Sequence, residues 1–254
     1  MLLTTLSLFT LLSLTNAGVL RFDPRIVNGE DARVGEIPYQ VSLQNKGNSF
    51  HFCGGSVLNE NYVITAAHCV SAKTAPNIKV IVGTIDLTAP KSEHNVMKII
   101  IHEKYNKDDS WKNDIALLKV EKPFVKSKQI AFVPLPPKDQ LVKANDKAVV
   151  SGWGTLRLDG PTPVHLQRVN ILIADQEYCK NTYKGSQNIY DSHVCAYDPS
   201  VEKGSCNGDS GGPLTVNGIL TGLVSWSRGC ARTDYPSVYT RVSAYIDWIK
   251  SHAV

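Results

Sequence analysis

The sequence predicts an all-β protein, arranged as antiparallel barrels or a sandwich and closed by one helix. Many short apolar or alternating runs recur at regular spacing, with turn residues between them. At the C-terminus, Ser243 to His252 carries Tyr245, Ile246 and Ile249 at helical spacing, with Ser243 as a candidate N-cap. The chain has 254 residues, enough for one large all-β domain or two small ones around substantial cores.

The only long apolar run, Leu2 to Leu14, is too short to span a bilayer and ends in Thr15-Asn16-Ala17. Small residues at that point suit a signal peptidase, so 1–17 reads as a secretory signal, although no basic residue precedes the run. A buried N-terminal helix is the alternative. Residues 18–25 end in Arg25 before the apolar Ile26 and read as an activation peptide; Pro24 would also suit a plain linker. Cutting Arg25–Ile26 would free an ammonium on Ile26 for a buried carboxylate elsewhere. The remainder, 26–254, is the main domain.

Strand-like runs follow in order. Tyr39 to Leu43 alternates, Asn45-Lys-Gly-Asn48 turns, and a second strand approaches Cys53. Val63 to Thr65, Ile78 to Val82, Val96 to Ile101 and Ile115 to Val120 complete the first half. Pro134-Leu-Pro-Pro-Lys-Asp139 interrupts the strands and divides 26–133 from 134–254. The second half repeats the style with Ala148 to Val150, Gln167 to Ile173, Gly222 to Trp226 and Pro236 to Thr240. There is no internal repeat and no low-complexity tract.

The net charge of +4 is mild and the lysines are scattered, which argues against nucleic acid as a partner. No other segment suits a membrane, so the product is expected to be soluble and exported. Export places the six cysteines in an oxidising compartment, and no Cys-x-x-Cys pair suggests zinc. Three disulfides are expected, in a pairing the residues alone leave open. No Asn-x-Ser/Thr acceptor occurs, so N-glycosylation is not expected.

Three stretches hold unusual chemistry. His68 sits among small residues in Thr65-Ala-Ala-His-Cys69, where a disulfide can pin it. Asp114 heads the apolar run Ile115 to Val120. Ser210 lies in Gly208-Asp-Ser-Gly-Gly-Pro213, a loop that turns tightly and leaves N–H groups free to converge. Each is ordinary alone: a structural histidine, a strand-end acid, a surface turn. Together they supply a base, an orienting acid and a nucleophile.

With Ile-Val-Asn-Gly at 26–29, Asn-Asp-Ile-Ala-Leu-Leu at 113–118, Ser-Gly-Trp-Gly at 151–154 and Ser225-Trp226, the chain resembles the chymotrypsin-like serine proteases over essentially all of 26–254. The resemblance implies two antiparallel six-stranded barrels with a C-terminal helix and the active site in the cleft between them. His68, Asp114 and Ser210 become the catalytic triad, whose roles the general template of this family describes. The backbone N–H groups of Gly208 and Ser210 become the oxyanion hole, and Asp209 the partner of the Ile26 ammonium. The implied disulfides are Cys53–Cys69, Cys179–Cys195 and Cys206–Cys230. With no cysteine in 18–25, the activation peptide should leave after cleavage. Thr84 stands where relatives that bind calcium carry an acid, so no metal and no cofactor are expected.

By the same resemblance Gly204 forms the floor of the primary pocket. Its lack of charge disfavours Lys or Arg before the scissile bond. Ser227 and Ser237 stand in the walls where many chymotrypsins have glycine, and the pocket is most similar to that of insect-type chymotrypsins. Large side chains such as Phe, Tyr, Leu or Met are expected there, ahead of small elastase-type residues. Glu202, Lys203 and Asp234 are expected to face solvent. Ser225, Trp226 and Ser227 should pair with substrate as an added strand, Trp111 should border the next subsite, and Arg228 should touch residues further upstream. The implied protein is a monomeric, secreted digestive endopeptidase. Its partners are protein substrates, a trypsin-like activating protease and protein inhibitors. A catalytically dead homologue acting as a binding protein is the rival from another class.

Overall fold

The computed structural model describes residues 26–254. The expected signal and activation peptides lie outside the described residues. Among these residues, twelve of thirteen strands make two closed six-stranded antiparallel barrels, with little helix.

The first barrel uses β2 (Gln40–Asn45), β3 (His51–Val57), β4 (Tyr62–Thr65), β5 (Ile78–Val82), β6 (Ser92–Ile101) and β7 (Ala116–Val120). They close in the order β2-β3-β4-β7-β6-β5. Val41 and Leu43 of β2 alternate into its core with Val57, Val63, Val80 and Leu118. The other face of β2 is buried as well, because it meets the second barrel: the Ser151 hydroxyl donates to Gln40 Oε1 at 2.7 Å. Both faces being covered explains why polar residues of this strand are interior.

The second barrel uses β8 (Lys147–Gly152), β9 (Gln167–Ile173), β10 (His193–Tyr197), β11 (Pro213–Val216), β12 (Ile219–Trp226) and β13 (Ser237–Arg241). The ring β9-β10-β13-β12-β11-β8 is closed by pairing of β8 with β9. The short β1 (Glu30–Asp31) adds to the edge of β9, and Ile26 is fully buried with Ala148, Val150 and Leu214. Residues 26–31, counted with the first half by sequence, therefore sit on the second barrel.

The described residues hold three α-helices: α1 (Ala67–Val70), α2 (Gln176–Tyr183) and α3 (Ile246–His252). In α3 the apolar stripe falls as expected, with Tyr245, Ile246 and Ile249 packed against Tyr62, Ile64, Ile115 and Leu117 of the first barrel. Ser243 is not its N-cap. It lies inside a 3₁₀ turn over Val242–Tyr245, with its hydroxyl buried and unpartnered, and the N-cap position is Tyr245. The disulfides are Cys53–Cys69, Cys179–Cys195 and Cys206–Cys230, the pairs the resemblance implied.

Candidate active site between the barrels

His68 stands in α1, one residue from the disulfide that ties this turn to β3. Fully buried Ala66 and Ala67 let the turn pack close to the barrel. The His68 backbone N–H donates to Asp114 Oδ1 at 2.8 Å, and the ring Nδ1–H donates to Asp114 Oδ2 at 2.7 Å. A carboxylate only accepts, so this contact puts the ring proton on Nδ1 and leaves Nε2 as the basic nitrogen.

Asp114 is completely buried, yet its charge is well received. Besides the two bonds from His68, its Oδ2 accepts from the Ser225 hydroxyl at 2.6 Å. Its backbone carbonyl accepts from Thr240 at 2.8 Å. Ser225 and Thr240 belong to β12 and β13, so the second barrel orients an acid carried by the first. A register irregularity between Val224 and Trp226 marks the place where β12 presents Ser225, a familiar use of a bulge beside a site. Asn113 precedes the acid at φ 56°, a left-handed conformation that asparagine tolerates, and the Tyr245 hydroxyl holds its side chain at 3.0 Å.

Ser210 lies in a loop with Gly208 at φ 97° and Gly211 at φ 75°, which only glycine adopts without strain. Gly54 N–H donates to the Ser210 carbonyl at 2.7 Å and Gly211 N–H to Val224 at 2.7 Å, fixing the loop against both barrels. The N–H groups of Gly208 and Ser210 have no partner among the described residues. Two free donors flanking a serine are what an oxyanion would need. Ser210 Oγ makes no hydrogen bond to His68 Nε2 in this structure.

Sequence reasoning missed the support under this loop. His51 Nε2–H donates to the Gly208 carbonyl at 3.0 Å, while its Nδ1 contacts the Ser42 hydroxyl at 2.8 Å and its ring edge meets Trp153. Burial lowers the His51 pKa to about 4, so the ring is neutral and Nδ1 accepts from Ser42. No local signal distinguishes His51 from other strand residues; its role appears only once Gly208 is beside it.

Asp209 is fully buried, with Oδ1 accepting from Gly154 N–H at 2.8 Å and Oδ2 from Cys206 N–H at 2.9 Å. Burial raises its pKa to about 7 despite both bonds. Gly152 and Gly154 have no room for a side chain because Asp209 fills the space where a Cβ would stand. Nearby, Gly204 N–H donates to the Val27 carbonyl at 3.3 Å, and the Asn28 amide to Glu202 at 2.6 Å, so 26–28 pack beside Gly204. Arg25 lies outside the described residues.

A cleft of about 210 Å³ brings together Trp111, Asn207, Ser210, Ser225, Trp226 and Ser227. Trp111 stacks on Trp226 with ring centres 5.9 Å apart, held there by a loop whose Ser110 hydroxyl donates to Gln187 at 2.8 Å. The predicted floor and wall residues Gly204 and Ser237 are buried and do not line this cleft. Gly204 lies beside Ala231 at φ 149°. Ser227 is exposed, and its hydroxyl is turned to the Gly229 carbonyl at 2.6 Å. Of the three neighbouring charges, Lys203 pairs with Asp198 at 2.8 Å, Asp234 is held by Arg232 at 2.7 Å, and Glu202 is exposed. The grouping Cys53, His68 and Cys69 has the spacing of a metal site, but both sulfurs are spent in a disulfide.

Two barrels sharing a buried Asp–His pair beside a glycine-loop serine define a serine-protease scaffold. The Trypsin family model matches residues 26–249, and the chain belongs to that family. Trypsin-1 of Astacus astacus is 43% identical over 241 residues, covering 90% of this chain and 100% of that protein. Chymotrypsin-2 of Vespa crabro is 38% identical over 227 residues, covering 89% and 99%. Among solved structures, human heparin binding protein superposes with a TM-score of 0.79 at 28% identity, covering 89% of this chain and 96% of that one. Relatives named for both trypsin and chymotrypsin thus share the scaffold.

Proposed function

We propose that this protein is a secreted serine endopeptidase. It is made as a zymogen and prefers large apolar or aromatic residues before the bond it cuts. The observation that carries the reading is the oriented Asp114–His68 pair beside Ser210, with uncharged Gly204 at the expected pocket floor. His68 Nε2 takes the Ser210 proton as the hydroxyl attacks the peptide carbonyl. Asp114 stabilises the imidazolium, and the Gly208 and Ser210 N–H groups receive the oxyanion. His68 then returns the proton to the leaving amine, and water releases the acyl group by the same route. Lys203, Asp234 and Glu202 are paired or exposed, which supports an uncharged primary site. Burial of a large apolar side chain would contribute about 1.5–3 kcal/mol.

Cleavage of Arg25–Ile26 by a trypsin-like protease would supply the Ile26 ammonium for buried Asp209. Among the described residues no helix is long and apolar enough to cross a membrane. The test is to cut the purified chain with trypsin, remove the trypsin, and read cleavage sites in a denatured protein mixture. Cuts after Phe, Tyr, Leu and Met, abolished in Ser210→Ala, are expected. Cuts after Lys or Arg would overturn the specificity, and cuts confined to Ala and Val would make it elastase-like. No cutting despite a new Ile26 terminus would favour a binding protein on a protease scaffold.

A further inference from the structure

Arg228 stands just beyond the cleft with no direct ion pair among the described residues, although the Asp234 carboxylate feels its charge. β12 ends at Trp226, and Ser227 and Arg228 continue from it into solvent. The Arg228 guanidinium lies 4.5 Å from the centre of the Tyr235 ring, and its Nη1 donates to the Tyr235 hydroxyl at 2.8 Å. Tyr235 packs edge-on against Tyr183 at 5.7 Å, and Tyr183 against Trp226 at 4.9 Å. The charge is therefore mounted on an aromatic base continuous with the cleft wall. Arg232 contacts the same Tyr235 ring at 5.0 Å, but both its Nε and Nη2 are spent on Asp234, at 2.8 and 2.7 Å. Among the described residues no carboxylate forms an ion pair with Arg228.

An extended substrate adding to Ser225–Ser227 runs antiparallel to them, one residue against one. Ser225 lines the same cleft as Ser210, so we place it opposite the residue before the scissile bond. Counting upstream, the second residue meets Trp226, the third Ser227 and the fourth Arg228. We infer that Arg228 is a specificity-determining residue that selects Asp or Glu at the fourth position upstream of the scissile bond. This rests on the endopeptidase reading above. A guanidinium already held by stacking and one hydrogen bond loses less freedom on gaining a carboxylate than a free arginine would, and its remaining donors suit a carboxylate's two oxygens.

The test uses the trypsin-cut enzyme and peptides that share one large apolar residue before the scissile bond. They differ only in Glu, Gln or Lys at the fourth upstream position. Glu should exceed Lys by about three- to fivefold in kcat/KM, carried by KM, since an exposed ion pair is worth at most about that much. The ratio should collapse toward unity at about 1 M salt, where the screening length is ~3 Å. Arg228→Gln should erase the ratio and Arg228→Glu should invert it. Tyr235→Phe, which keeps the ring but removes the anchoring hydroxyl, should reduce it. Dissociation constants of the same peptides on Ser210→Ala give the ratio without turnover. Peptides that bind with the Glu preference but are never cut would count against the protease reading and leave the Arg228 assignment standing. A Glu-to-Lys ratio unchanged in Arg228→Glu, in kinetics or binding, overturns the assignment.

Discussion

Asp209→Asn in the uncut chain probes the buried carboxyl under the Ser210 loop. Burial moves its pKa from 3.8 to about 7. A folded value above the unfolded one means the native state holds the proton more tightly. Stability from this group is therefore complete below pH 3.8 and is lost as pH rises through about 7. Roughly three pH units at about 1.36 kcal/mol each give a penalty of ~4 kcal/mol for ionised Asp209 at pH 8. Asparagine cannot ionise, but its amide offers one acceptor to two donors. Either the Gly154 or the Cys206 N–H is left without a partner, at a cost of about 1–3 kcal/mol at every pH. The cost of the substitution should thus be about 4 kcal/mol smaller at pH 8 than at pH 4. Urea unfolding followed by tryptophan fluorescence, in a Ser210→Ala background that prevents self-cutting, measures this difference while cancelling other titrating groups. In the cut chain the trend should reverse, because the Ile26 ammonium would then stabilise the ionised form. A cost independent of pH in the uncut chain would refute the argument that Asp209 has no charge partner among the described residues before cleavage.

Other consequences concern the same framework. Ser225→Ala removes a charge-assisted bond to Asp114 without touching substrate through its hydroxyl, so kcat should fall about ten- to a hundredfold with little change in KM in steady-state kinetics. His51, lowered from 6.5 to about 4, contributes stability above pH 6.5 that is lost as pH falls through 4. Replacing it by Gln should flatten the unfolding free energy between pH 7 and pH 4 by roughly 3 kcal/mol, read from urea midpoints. Replacing Cys206 and Cys230 together by Ala opens a link spanning 24 residues and should cost about 3 kcal/mol in the same assay.

The strands with clear alternation, such as β2 and β9, were legible in the sequence, as were α3 and the stretches around His68, Asp114 and Ser210. Those features are local. An apolar period shows which face is buried, and glycines at positive φ mark the nucleophile loop wherever it sits. β10 and β11 escaped because they are short and buried on almost every residue, leaving no alternation to read. The four-residue α1 escaped because a disulfide, rather than propensity, accompanies its turn.

The residue types of the active site were thus determined by sequence, while their support was decided only by tertiary structure. His51 reaches Gly208 across 157 positions, and Ser225 reaches Asp114 across 111. Neither bond has a signature in its own neighbourhood, because its partner is delivered by the packing of two barrels. The same holds for charge: Arg228, Arg232 and Lys203 are alike in sequence, and only the fold gives two of them carboxylates and leaves the third with a tyrosine. Electrostatic balance depends on distances through space, and those distances exist only after folding.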